Sequence, residues 1–307
     1  MPDLTVTADD FGLSESVNEG IERAHCDGIL THASLMMGGA AVEDAIARAK
    51  RLPSLRVGLH LVVIEGPAVL PPSEIPDLVD ETGWFPSDQL ALGLRYFFLP
   101  HIRLQLQAEI RAQFAAFANT GLALDHADSH KHMHLHPTVG AMLLREGRLH
   151  GLTTVRVPRE PVSVMTKCGV PPTIAARAMA AWTALFRAQA HRAGMATNDH
   201  VFGLAWSGTF DEPRLLRLIP HLPKGATELY FHPAAARDPI IDRWMPTYRH
   251  QSELAALTNP AVRAALHIPR KSINLVGREA GLSGGFFGEG AEPQGGDAAP
   301  GCEGGGF

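Results

Sequence analysis

The sequence predicts an α/β protein built on a mostly parallel sheet, and three observations carry that expectation. Five short β-branched or apolar runs recur along the chain, helical patterns lie between them, and 307 residues suit one barrel-type domain. The runs are "LTVTADD" (4–10), "LRVGLHLVV" (55–63), "LALDHADSH" (122–130), "TTVRVPR" (153–159) and "TELYFHP" (227–233). Each begins as a strand and ends in polar residues. Parallel sheets collect their chemistry at the carboxyl ends of the strands. Asp9, Asp10, His60, the histidines of 126–136 and His232 are therefore expected to share one site.

The intervening elements follow in order. Ser14 is placed to cap a helix with apolar residues at 17, 21 and 24, stopped by Gly28. "AAVEDAIARAKRL" (40–52) and "LQLQAEIRAQFAAFANTG" (104–121) read as helices. "PTVGAMLLREGRLHG" (137–151) does too, with Pro137 suited to its first turn. The apolar segment "RYFFLPHIRLQL" (95–106) reads as core packing or a homodimer contact ahead of docking of a lipid-linked substrate. Residues 171–193 read as one or two Ala-rich helices forming a lid or further wall. Residues 277–307, rich in Gly, Ala, Pro and acidic residues, are expected to be a disordered tail that includes Cys302.

Composition narrows the function class. Apolar residues make up 45% of the chain, charged residues 19%, and the net charge is −5. That balance gives no basic footprint for nucleic acid. Three isolated cysteines without CxxC spacing argue against a disulfide framework or a thiolate zinc site and suit a reducing compartment. No signal peptide and no spanning helix are expected, so cytoplasmic is the expected location.

The densest chemistry is "DHADSHKHMHLHP" (125–137), which holds 5 of the 16 histidines. A histidine-rich tract alone is a weak metal signal. His130, His132, His134 and His136 alternate, and all would share one face if the strand continued. Four ligands from so short a run crowd one ion, so the economical assignment is His130 as ligand and the others as cleft or supporting groups. Asp128 could orient a ligating imidazole. "DD" at 9–10 offers two carboxylates that a strand-to-loop bend can bring to one pocket, one for an ion and one for a proton. Such a pair raises one pKa unless a cation compensates. A lone His60 in an apolar strand more often satisfies a core hydrogen bond, but imidazole is the commonest metal ligand. One Asp and two His leave Zn²⁺, Mn²⁺, Co²⁺ and Mg²⁺ open. Arg156 and Arg159 could contact sugar hydroxyls or position Asp side chains.

"TADDFG" (7–12), "GLHL" (58–61), "DSHKHMHLHP" (128–137) and "YFHP" (230–233), in this order, resemble the YdjC-type carbohydrate deacetylases. The resemblance covers residues 4 to about 276 as one domain. It implies a distorted (β/α) barrel with a metal site at the C-terminal ends of the strands, removing N-acetyl groups from amino sugars. It also implies one divalent ion, Mg²⁺ or Zn²⁺, held by Asp10, His60 and His130. Asp9 matches the catalytic base, and His232 matches a histidine near the site; His232 or an imidazole from 132–136 is here read as the acid. His126 and His132 are the nearby alternatives for the third ligand. Arg156, Arg159, His132 and His134 are the expected substrate contacts. "GILTHASLMMGG" (28–39) and "NDHVFGLAWSG" (198–208) are similar to the branch associated with hopanoid biosynthesis, HpnK. That likeness implies an N-acetylglucosaminyl hopanoid substrate and peripheral contact with the inner membrane face; a chitobiose-type oligosaccharide is the alternative. A phosphoesterase would want more Arg or Lys, or a Gly-rich nest, near the site. A non-catalytic metal-binding module would not need Asp9 beside Asp10.

Overall fold

The computed structural model describes residues 3–267; the expected tail and Cys302 lie outside the described residues. Its strands are β1 (Asp3–Phe11), β2 (His32–Leu35), β3 (Arg56–Leu61), β4 (Ala127–Ser129), β5 (Thr154–Val155), β6 (Ala196–Thr197), β7 (His200–Phe202) and β8 (Ala226–Phe231). The helices of the first half are α1 (Glu15–Cys26), α2 (Val42–Arg51), α3 (Gln89–Phe98), α4 (Pro100–Asn119) and α5 (Pro137–Leu149). Those of the second are α6 (Val162–Lys167), α7 (Ile174–Arg192), α8 (Glu212–Leu218), α9 (Pro239–Trp244), α10 (His250–Thr258) and α11 (Pro260–Ala265). All eight strands are parallel, in the order β6-β5-β4-β3-β2-β1-β8-β7. This is a curled, distorted α/β barrel. The link between the edge strands β6 and β7, and β7 itself, are tied to the chain that follows β5. Asn198 accepts from Val157 N–H and donates to Val157 O, both at 2.8 Å, and Val201 N–H donates to Arg159 O.

The helices fasten the strand ends that carry polar residues. Ser14 caps α1, its Oγ accepting from Val17 N–H, which is worth ~1 kcal/mol. Val17, Ile21 and Ala24 are buried as the period predicts, each larger one contributing ~1.5–3 kcal/mol. Asn18, buried on the same helix, accepts from Gly12 N–H and donates to Ala41 O, fixing the loop that leaves β1. On α4, Gln113 bonds both backbone groups of Val62, and Glu109 accepts from Val69 and Leu70 N–H. The chain leaving His60 is thereby held to a rigid helix.

Residues 95–106 form the end of α3 and the start of α4. Tyr96, Ile102 and Leu106 are buried, but Phe98 and Leu104 are 65% and 73% exposed. Core packing therefore accounts for only part of that segment. Residues 174–192 form one helix, of which Thr183, Phe186 and Ala190 are the buried residues.

Gly28, just past the end of α1, sits where nothing larger fits: a Cβ there would lie 2.4 Å from Ala24 O and 2.5 Å from Leu257 O. Gly58 plays the same part inside β3, where a Cβ would lie 2.5 Å from His126 O and 2.6 Å from its ring. Gly58→Ala is expected to push β3 from β4, costing ~1–3 kcal/mol. A thermal-unfolding midpoint equal to wild type would contradict this packing.

Candidate active site

The site begins with an irregularity in β1. The pairing with β2 shifts register between Ala8 and Phe11, and Asp10 adopts a left-handed φ of 64°. Side chains of a regular strand alternate between faces. At the irregularity both adjacent carboxylates come close to His60.

His60, at the end of β3, projects between two carboxylates. Its Nδ1–H donates to Asp128 Oδ1 at 2.7 Å, and its Nε2 lies 3.3 Å from Asp10 Oδ1. That arrangement holds the ring with Nε2 facing Asp10. Burial pulls the His60 pKa down, but Asp128 and Asp10 outweigh it and push it up to about 10. Asp128 is in turn held by Ser34 Oγ–H at 2.8 Å, and Ser34 bonds His126 Nε2 at 3.1 Å. His126 therefore belongs to the support behind His60.

The histidine segment departs from the alternating pattern. β4 is only three residues long, and His130–Leu135 form a 3-10 turn interrupted at Lys131 and His132, both with φ of 53°. The four imidazoles consequently part company. His130 Nδ1 lies 3.1 Å from Asp10 Oδ1 and 3.4 Å from His60 Nε2. His132 borders the cavity, with Nε2 3.1 Å from the Tyr230 hydroxyl. His134 is fully buried, its Nδ1 2.6 Å from Ser129 Oγ, which also accepts from His134 N–H. Its expected substrate contact is corrected to a structural role, since the turn folds over it. His136 precedes α5 beside Tyr96 and Phe97.

Asp10, His60 and His130 thus place one donor atom each within 3.1–3.4 Å of one another. Burial raises the Asp10 carboxyl, but the two imidazoles outweigh it and hold it well below the usual carboxylate range. Asp10 Oδ2 is buried without a hydrogen-bond partner, as expected of a group made to bind something else. Mixed N and O donors of this kind suit a divalent ion. A second grouping, Asp9, His60 and Asp128, also converges. It is the poorer choice, because Arg156 already pairs with both of its carboxylates and would repel a cation.

Arg156 is 2% exposed and clamps three carboxylates. Its terminal nitrogens donate to Asp9 Oδ2 and Oδ1 at 2.7 and 2.8 Å. It also lies 2.7 Å from Asp128 Oδ2 and 2.9 Å, through Nε, from Glu228 Oε1. Arg156 is the cation that compensates the Asp doublet. With its guanidinium committed to these partners, it positions Asp side chains and does not contact sugar hydroxyls. Arg159 is exposed and is not among the residues lining the cavity.

His232 follows β8 on the cavity wall. Its backbone N–H donates to Glu253 Oε2, whose other oxygen accepts from Phe210 N–H at 2.9 Å. Burial lowers the His232 pKa, but Glu253 and the charges of Asp10 and Asp9 push it above the ordinary imidazole value. His250 Nδ1–H donates to His232 O at 2.7 Å. The sequence reading missed Ser34, Glu228, His250 and Glu253. The cavity, of about 180 Å³, is lined among others by Asp9, His60, His130, His132, Tyr248 and His232.

The profile of the YdjC-like protein family matches residues 3–267. The chain belongs to that family. A carbohydrate deacetylase of Geobacillus stearothermophilus is 32% identical over 263 residues, covering 85% of this chain and 91% of the relative. A carbohydrate deacetylase of Brevibacillus brevis is 39% identical over 142 residues, 46% of this chain, and the matched part spans 54% of that relative's length. A crystal structure from Enterococcus faecalis, of a protein assigned to cellobiose-phosphate cleavage, superposes with a TM-score of 0.67. It is 22% identical and covers 87% of this chain and 94% of that one. The YdjC-like chain shares that fold. Among the described residues, no helix is long and apolar enough to cross a membrane.

Proposed function

We propose that this YdjC-like protein is a metal-dependent carbohydrate N-deacetylase acting on an N-acetylglucosaminyl substrate, with a hopanoid glycolipid as its natural one. One observation carries the reading: Asp10, His60 and His130 converge beside Asp9, which Arg156 clamps at the wall of the same cavity. The names of the relatives support the reaction class, and the connecting segments at 28–39 and 198–208 support the hopanoid branch. Exposed apolar residues on α3 and α4 suit peripheral contact with a membrane.

A divalent ion held by Asp10, His60 and His130 would supply Lewis acidity toward the acetyl carbonyl and lower the pKa of a nearby water. Asp9, with both oxygens paired to Arg156, is held in a fixed orientation and takes a proton from the attacking water. His232, biased toward its protonated form, gives a proton to the departing amine nitrogen. His132, on the cavity wall, is placed to meet a sugar hydroxyl.

Acetate release from N,N′-diacetylchitobiose and from an N-acetylglucosaminyl lipid, with and without chelator, tests the reading. Release from either that chelator abolishes and added metal restores is expected. Asp9→Asn should lower kcat by ~10²–10⁴-fold while metal content stays at wild type. Full turnover by Asp9→Asn would remove Asp9 from its role as base. Activity on chitobiose alone would replace the hopanoid substrate with an oligosaccharide.

A further inference from the structure

Beside the metal cavity lies a larger one, of about 360 Å³, between α6, the first half of α7 and the loop after β7. Its volume falls within the ~300–1,000 Å³ typical of small-molecule sites. Met165, Val170, Ala176, Met179, Ala180 and Leu204 give it an apolar wall. Leu204 lines the metal cavity as well, so the two spaces share a boundary. That boundary is anchored: Glu160 accepts from the backbone N–H groups of Gly203, Leu204 and Ala205, each at 3.1 Å. Glu160 is the one charged side chain lining the cavity, and its carboxylate is committed to holding the loop.

We infer that this cavity binds the apolar aglycone of an amino-sugar glycolipid whose acetamide occupies the metal cavity. That role depends on the deacetylase reading above and adds where the non-sugar part sits. A second sugar ring would bring hydroxyls needing hydrogen-bond partners, and this wall offers few. A hydrocarbon loses nothing there and leaves water. The outer side of α7 is apolar too, with Ile174, Trp182 and Leu185 exposed, and the helix carries no acidic residue. The wall that encloses the cavity is thus itself suited to meeting a lipid.

Ala176→Trp, at a half-buried position on α7, fills the cavity without touching the metal cavity. Met179→Glu, at a 38% exposed position, places a charge in it with less demand on packing. The probes are dodecyl N-acetyl-β-glucosaminide and N,N′-diacetylchitobiose. Each variant is expected to raise KM for the dodecyl glycoside by about tenfold or more and to leave kcat/KM for chitobiose unchanged. Equal losses on both substrates, or no loss on the dodecyl glycoside, would overturn the assignment. If the wild-type protein hydrolyses neither probe, the deacetylase reading fails by itself. Calorimetric binding of dodecyl β-glucoside, which has no acetamide, then decides the cavity. Binding that either variant weakens supports it, whereas no binding, or binding unchanged in both, overturns it.

Discussion

An Asp10→Ala protein is expected to lose its divalent metal and nearly all amide hydrolysis together, the largest functional effect of any single substitution here. Asp10 Oδ1 is the atom on which His60 and His130 both close, at 3.3 and 3.1 Å. Removing it leaves two imidazoles and no anionic donor. Loss of a group that merely supports a ligand already costs ~10–100-fold in metal affinity or activity, so loss of a ligand itself should exceed about 10²-fold. Its backbone conformation adds a second reason to read the residue as functional. A φ of 64° is unfavourable for a residue with a Cβ, and here it is sustained where Asp10 meets His60 and His130. The fold should survive, because Arg156 pairs with Asp9 and Asp128 and not with Asp10. Metal content by mass spectrometry, acetate release and a thermal melt separate the possibilities. A folded Asp10→Ala protein that retains full metal and full turnover would refute the proposed centre.

Much of this centre was legible in the sequence because its parts sit where strands stop. Asp10, His60 and His130 each terminate a recognisable apolar run, and a parallel sheet brings such ends together. Where that logic failed, the cause was local. The period-two reading of His130 to His136 assumed a continuing strand, but β4 is three residues long and two left-handed residues break the alternation. His134 was therefore assigned to the cleft when it lies beneath the turn. β6 and β7, of two and three residues, are too short to show a period. Glu253 and Ser34 carry no motif: one meets His232 from a helix twenty-one residues on, the other reaches Asp128 across ninety-four. For Arg156, the sequence offered sugar or carboxylate as partner, and burial chose the carboxylate. A guanidinium shut away from solvent requires counter-charges, and three converge on it.

Arg156→Met is accordingly expected to give the largest loss of stability. The substitution removes the shared partner of Asp9, Asp128 and Glu228, all buried. Breaking a buried ion pair from one side costs ~3–5 kcal/mol because the remaining charge is left uncompensated. In a domain of this size, that corresponds to a melting temperature lower by on the order of 10 °C. Asp128 bears the clearest strain. Burial alone would raise its carboxyl, and Arg156, followed by His60, holds it far below the usual carboxylate range. Without Arg156, its charge is left to His60 and the Ser34 hydroxyl. Arg156→Lys separates positioning from folding, since it keeps a cation but cannot donate to both oxygens of Asp9 in the fixed fork of a guanidinium. That variant should recover most of the stability, keep its metal and still show a reduced kcat with little change in KM, because the base is present but poorly aimed. If Arg156→Met melts with wild type, the clamp is not holding the site. If Arg156→Lys is stable and turns over at the wild-type rate, the orientation of Asp9 does not depend on the fork.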